Sequence, residues 1–144
     1  MSEALIVLTT CPSALIIGPT GVGMGRGGTL YVADSAGDRV AAIPQAMTRT
    51  SVLGGGGMTV SAHGSLNDPL GLMIAPNGDV VTANGSDGKF VETSPAGKQV
   101  AARDLIPNGG GDLFGLALAP DHRGIYFVDD AGSGRAANSL RLLH

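Results

Sequence analysis

Short apolar segments alternate with turn-forming segments along the whole of this chain. Runs such as "TLYVA", "DVVTA" and "IYFVD" are separated by Gly-, Asn-, Asp- and Ser-rich sequences such as "SAGD" and "PNG". Short runs bounded in this way are typical of β-strands, because these turn residues adopt tight-turn backbone conformations readily. The chain lacks the apolar period of about 3.6 residues, sustained over about eleven residues, that an amphipathic helix requires. The pattern predicts an all-β protein.

Three segments of the chain align with one another, and each contains the same order of short strands. One position is glycine in all three copies: Gly21, Gly71 and Gly115. The intervals between these glycines are 50 and 44 residues, in or just above the range of β-propeller blades. Each copy contains an innermost strand, a second strand and a third strand, and four short strands make one blade. The repeat therefore predicts about three blades.

The blade boundaries follow from the repeat. We predict remnant strands of a preceding blade, three blades of which the third is incomplete, and a weak fourth strand in each of the first two. The blades are 19–68, 69–112 and 113–144, the remnant is 1–18, and the fourth strands lie within 46–53 and 98–105. The remaining low-complexity segments, 54–68 and 106–112, are expected to be flexible loops.

The stretch "GPTGVGMG" (18–25) has the glycine spacing of a phosphate-binding loop but not its chemistry. Such a loop needs Lys and Ser/Thr after its second glycine, and this chain has Met24 and Gly25 there. We instead assign the stretch to an innermost strand, where glycine allows close backbone approach near the propeller axis.

The first copy, "GPTGVGMGRGGTLYVADSAGDRVAAI", resembles an NHL repeat, and the second and third copies also resemble the propellers of the gluconolactonase (senescence-marker) family. The resemblance covers about residues 13 to 143 and implies half of a six-bladed β-propeller. In gluconolactonase-like enzymes, acidic and Asn residues before the shared glycine hold a divalent ion. The corresponding residues here are Thr20, Leu70 and Phe114, which are not ligands for such ions. No metal or other cofactor is predicted.

Six polar residues in the turns after the second strands are the candidate ligand-facing or partner-facing residues. They are Asp34, Asp38, Asn84, Asp87, Asp129 and Asp130. The repeat alignment gives Asp34, Asn84 and Asp130 one shared position. These side chains either cap their turns by accepting backbone N–H bonds or form a ring of ligand acceptors. No catalytic residue is assigned.

Composition and charge exclude several classes of partner. Charged residues make up 15% of the chain, the net charge is −3, and the nine Lys and Arg are scattered, so no nucleic-acid-binding surface is predicted. The apolar run "ALIVL" is too short to cross a membrane, and no basic segment precedes it as in a signal peptide. Proteins of the resembled families are often exported, but nothing in the chain predicts its compartment.

Three blades do not close a ring, because propellers have four to eight. Three outcomes remain open: a homodimer that completes six blades, an open solenoid, or a piece of a longer propeller. The function predicted is a non-enzymatic binding or scaffold module, and the alternative is a gluconolactonase-like hydrolase, degenerate or completed by another chain. We expect Val32 and Val81 to be mostly buried and Leu116 to be fully buried.

Overall fold

The computed structural model describes residues 18–106, 113–129 and 139–144. The predicted remnant strands within 1–17, the segment 107–112 and Asp130 lie outside the described residues.

The described residues contain eleven antiparallel strands, which form three sheets. The first sheet contains β1 (Pro19–Met24), β2 (Leu30–Asp34), β3 (Arg39–Ile43) and β4 (Met58–Ala62). The second contains β5 (Pro69–Ile74), β6 (Val80–Asn84), β7 (Lys89–Thr93) and β8 (Gln99–Asp104). The third contains β9 (Leu113–Leu118), β10 (Ile125–Asp129) and β11 (Ser139–Leu143). Two single-turn 3-10 helices, Arg26–Gly28 and Ser35–Gly37, lie in the hairpin connections of the first sheet. We call the sheets blades 1, 2 and 3.

The blades stack face to face, and the core lies between them. One buried cluster joins blade 1 to blade 2 and includes Tyr31, Leu72 and Val91. A second cluster joins blade 2 to blade 3, where the Phe90 and Phe127 rings meet edge to face at 5.6 Å. Val32 and Val81 are buried, which confirms the prediction for both. Because blade 2 is covered on both faces, β6 is buried along its whole length.

Glycine brings the innermost strands into backbone contact. A Cβ atom at Gly21 would lie 2.5 Å from the Leu72 nitrogen and 2.7 Å from the Leu70 carbonyl oxygen. A Cβ atom at Gly71 would overlap the Phe114 carbonyl oxygen. The assignment of "GPTGVGMG" to an innermost strand is therefore confirmed, and so is the physical reason for its glycines.

Two predictions about individual segments are wrong. The fourth strand of blade 1 is β4 and not part of 46–53, so the segment expected to be a loop contains a strand. The glycines at 55–57 have positive φ values and form the turn that precedes β4. Leu116 is only partly buried, because it packs against the core between blades 2 and 3 but also lines a pocket of about 310 Å³.

Candidate functional site

The candidate residues lie along one edge of the blades, which we call the upper edge. Pro19 pairs with Asp34 in blade 1, and Pro69 pairs with Asn84 in blade 2. The beginning of each innermost strand and the end of each second strand are therefore adjacent. The connection from β4 to β5 also reaches this edge, because β4 ends opposite Arg39.

The strand register corrects the repeat alignment in blade 3. Leu113 begins its innermost strand and pairs with Asp129, just as Pro19 pairs with Asp34 in blade 1. The residue equivalent to Asp34 and Asn84 is therefore Asp129, and the alignment of Asp130 with them is wrong. Two residues inserted in the turn "PDHRG" obscure this register in the sequence.

Two of these three equivalent side chains form ion pairs with an arginine of the third strand. Asp34 Oδ2 accepts a hydrogen bond from Arg39 Nε at 2.6 Å. Asp129 Oδ2 similarly accepts one from Arg141 Nη1 at 2.7 Å. The side chain of Asp34 is 5% exposed, so this ion pair is largely withdrawn from water.

Asn84, the third equivalent residue, connects blade 2 to the segment between β4 and β5. Its Nδ2 donates to the Ser65 carbonyl oxygen at 2.8 Å and to Asp87 Oδ1 at 2.9 Å. Neither Asp34 Oδ1 nor Asn84 Oδ1 has a hydrogen-bond partner within the part of the chain that the structure describes. One polar atom of each side chain thus makes internal hydrogen bonds, and a ligand-facing role for these two residues stays a prediction.

The two remaining described candidates, Asp38 and Asp87, stabilise the turns. Asp38 has a left-handed backbone (φ 46°), and its Oδ1 accepts a hydrogen bond from the Asp68 nitrogen at 2.6 Å. Asp87 Oδ1 accepts one from the Lys89 nitrogen at 3.2 Å. The capping of a turn by backbone N–H bonds thus occurs at Asp87, while Asp38 connects its turn to the segment between β4 and β5.

The pKa of Asp87 is lowered from its ordinary value. Partial burial by itself raises the pKa of Asp87. Hydrogen bonds from Asn84, Asn67 and the Lys89 nitrogen, together with the Lys89 ammonium, outweigh that effect and hold the pKa below its ordinary value. Asp87 is therefore a stable carboxylate at neutral pH.

A concave wall lies beside the upper edge where the three innermost strands begin. It encloses about 310 Å³ and is lined by Thr20, Leu70, Phe114 and the residues that follow them. The Thr20 hydroxyl donates to the Leu70 carbonyl oxygen at 2.7 Å. Apart from that hydroxyl, the side chains of the wall are apolar, so it can contact an apolar group but offers few polar groups to orient a substrate. We call it the channel wall.

The sequence did not reveal two side chains, Arg39 and Gln99, that each make several hydrogen bonds in this part of the fold. Arg39 donates to Thr59 Oγ1 at 2.8 Å and to the Gly56 carbonyl oxygen at 3.1 Å, in addition to its ion pair. Gln99 accepts from the Ser65 nitrogen at 2.8 Å and donates to the His63 carbonyl oxygen at 2.7 Å. The signal for Arg39 was its place opposite Asp34 across a hairpin. Gln99 had no such signal.

The described residues contain no cluster of three or more His, Cys, Asp or Glu side chains placed to hold a metal ion. Within the same residues, no helix has the length and apolar character needed to span a membrane.

Solved structures with the same architecture are six-bladed propellers. A luciferin-regenerating enzyme matches with a TM-score of 0.66 and 16% identity over 88% of this chain and 45% of its own. A gluconolactonase from Xanthomonas campestris matches with a TM-score of 0.60 and 16% identity over 89% of this chain and 44% of its own. The calcium-binding protein regucalcin from Agrobacterium tumefaciens matches with a TM-score of 0.60 and 16% identity, over 77% and 37%.

This chain thus spans less than half the length of each of these proteins. No protein-family model matches it, and no curated protein matches it. The fold is about half of a six-bladed β-propeller, which confirms the predicted fold class.

Proposed function

We propose that this chain is a non-enzymatic β-propeller module that binds or scaffolds a partner at its channel wall. The observation that carries the proposal is the chemistry of the three residues that begin the innermost strands. Leu70 and Phe114 are apolar, and the Thr20 hydroxyl is engaged with the backbone of β5. The resemblance to gluconolactonase-like enzymes places their ion-holding acidic and Asn residues at these positions.

The channel wall favours a ligand with an apolar group. Leu70 and Leu72 line it together with Gly21 and Gly71, and Phe114, which also lines it, is half-buried. Ligand sites in proteins are concave and mostly apolar, with a few polar groups that fix orientation.

Metal content and ligand binding test the proposal together. Purified protein should contain no stoichiometric Ca²⁺ or Zn²⁺ by elemental analysis, and should not hydrolyse an aldonolactone with either ion added. It should enhance the fluorescence of 8-anilinonaphthalene-1-sulfonate, a probe for apolar sites. Phe114→Ala should weaken that signal, whereas Met47→Ala, at a residue that is 79% exposed and remote from the wall, should not.

The alternative is a gluconolactonase-like hydrolase whose ligand set is completed by another chain. The structural match to the Xanthomonas gluconolactonase favours it. Stoichiometric metal together with metal-dependent lactone hydrolysis would support this alternative and refute the binding module.

A further inference from the structure

A cleft lies between blades 2 and 3 where their innermost strands end, at the edge opposite the upper edge. Two turns border it, the β5–β6 turn at 75–79 and the β9–β10 turn at 119–124. The cleft encloses about 350 Å³, a volume typical of small-molecule sites. We call it the inter-blade cleft. Its apolar walls are Met73 of blade 2 and Leu118, Ile125 and Leu143 of blade 3.

Two arginines give the inter-blade cleft its charge. Arg103, from β8, and Arg123, from the β9–β10 turn, both line it. Neither guanidinium has an ion pair or a hydrogen bond within the part of the chain that the structure describes. Two carboxylates nearby make other contacts, since Glu92 accepts from Asn77 and Asp121 accepts from the Arg123 backbone nitrogen. Because arginine stays charged in proteins, the cleft carries two positive charges that no described acidic group neutralises directly.

The longer turn of blade 3 brings one of these charges to the cleft. The sequence "PDHRG" is two residues longer than "PNG" at the corresponding turn of blade 2. Both turns close in the same way, since Ala75 and Ala119 each donate a backbone hydrogen bond of 2.8 Å across the turn. The longer turn contains His122 and Arg123, and both line the cleft. The insertion thus adds polar and charged side chains to the cleft and keeps the closing bond of the turn.

The contact between blades 1 and 2 differs at the corresponding place. There Arg26, in the β1–β2 turn, donates a hydrogen bond from Nη2 to the Pro76 carbonyl oxygen at 3.1 Å. This bond joins the turns of two successive blades. Between blades 2 and 3, no hydrogen bond joins the corresponding turns, 75–79 and 119–124, both of which are described in full. One inter-blade contact is therefore closed by an arginine, and the other is open and holds two arginines without a partner among the described residues.

We propose that the inter-blade cleft binds a small organic anion, namely a carboxylate on an apolar body. The carboxylate pairs with Arg103 and Arg123, because the planar guanidinium matches the two oxygens of a carboxylate. The body packs against Met73, Leu118 and Ile125, which removes its apolar surface from water. The cleft shares no lining residue with the channel wall, so this is a second site that does not depend on the proposed function.

Octanoate, below its micelle-forming concentration, is the probe for this site. In a titration of the full chain followed by ¹H–¹⁵N correlation spectra, the amide signals of Leu118 and Ile125 should shift, and those of Thr20 and Phe114 should not. The neutral analogue 1-octanol and the short anion acetate should each bind more weakly by about tenfold or more, because each lacks one half of the recognised chemistry.

Two charge-removing variants provide the matched comparison. Arg103→Met keeps an extended side chain but removes the charge, and it should raise the Kd for octanoate by about tenfold or more. Lys98→Met removes an equal charge from an exposed residue outside the cleft, and it should leave the Kd within about twofold. Native circular dichroism spectra should show that both variants fold. Octanol that binds as tightly as octanoate overturns the proposal, and so do equal effects of the two variants or shifts confined to the channel wall.

The channel wall and the inter-blade cleft are separated by variants. The fluorescent probe of the channel wall, 8-anilinonaphthalene-1-sulfonate, is itself an apolar anion, so the probe alone does not tell the two sites apart. Phe114→Ala should leave the octanoate Kd unchanged, because Phe114 does not line the cleft. Failure of the octanoate experiment is therefore distinct from failure of the binding module.

Discussion

Replacing Gly21 by Ala should separate the innermost strands of blades 1 and 2. The added Cβ atom would lie 2.5 Å from the Leu72 nitrogen, 2.7 Å from the Leu70 carbonyl oxygen and 2.8 Å from the Gly71 carbonyl carbon. All three atoms belong to the backbone of β5, so no flexible side chain can move aside. Since non-bonded heavy atoms prefer about 3.5 Å or more, the strands must part by about 1 Å.

The magnitude follows from two opposing effects. Overpacking of this kind destabilises by about 1–3 kcal/mol, and parting the strands also loosens Leu72, which is 5% exposed in the core between the blades. Replacing glycine by alanine also reduces the conformational entropy of the unfolded chain, which stabilises the folded state by about 0.4–1 kcal/mol. We expect a net loss of about 2 kcal/mol, a large share of the roughly 5–15 kcal/mol that stabilises a typical domain.

Urea unfolding monitored by circular dichroism at one fixed protein concentration measures this loss. The chain has no tryptophan, so the far-ultraviolet signal is the suitable probe. Gly54→Ala is the control, because a Cβ atom there meets nothing within 4 Å and the free energy of unfolding should change by less than about 0.5 kcal/mol. Equal effects of the two substitutions would refute the claim that close strand approach explains why all three copies carry glycine at this position.

Three further predictions concern single side chains. Leu113→Ala should lower the free energy of unfolding by about 2–5 kcal/mol, and Leu116→Ala should lower it by clearly less, because Leu113 is 0% exposed and Leu116 is only partly buried. If urea unfolding shows a larger loss for Leu116→Ala, the argument from burial is wrong. Arg39→Met should lower it by about 3 kcal/mol, because Asp34 keeps a buried carboxylate without its ion-pair partner; thermal unfolding unchanged from the unaltered chain would contradict this. The pKa of Asp87 is lowered in the folded protein, so its carboxylate should stabilise the fold above the ordinary carboxyl pKa of about 4, and this stabilisation should be lost as pH falls through the folded pKa. Asp87→Asn should therefore flatten the acid side of a curve of unfolding free energy against pH. An unaltered curve would count against this reasoning.

The sequence predicted the blades well where strands are buried on both sides. The segments "LYVAD" and "VVTAN" are short and apolar because they lie in the middle of stacked sheets. It failed at β4, an outer strand whose exposed positions need no apolar pattern, in a Gly-rich segment that resembles a loop. The partial exposure of Leu116 also could not be predicted, because it depends on the pocket that the packed blades form and not on the strand pattern itself.

The site was predicted less well than the fold. Turn composition located Asp34, Asn84 and Asp87 at one edge, since antiparallel pairing fixes where hairpin turns fall. It did not reveal that Asp34 pairs with Arg39 or that Asn84 reaches Ser65, because those partners depend on hairpin register and on the neighbouring blade. The two-residue insertion before β10 shifted the alignment by one position and exchanged Asp129 for Asp130.

The stacking of blades makes this chain a one-dimensional array in which each unit is stabilised by its neighbours. Blade 2 has a packed core on both sides and is clamped to blade 1 by Gln99. In such an array the free energy of local opening rises with the number of neighbours. Amide protons of β6 and β7 are therefore released to solvent only when the whole array opens, whereas those of β11 are released by fraying of blade 3 alone. A partner that covers blade 3 would thus slow exchange across an entire sheet, far beyond the residues that it touches.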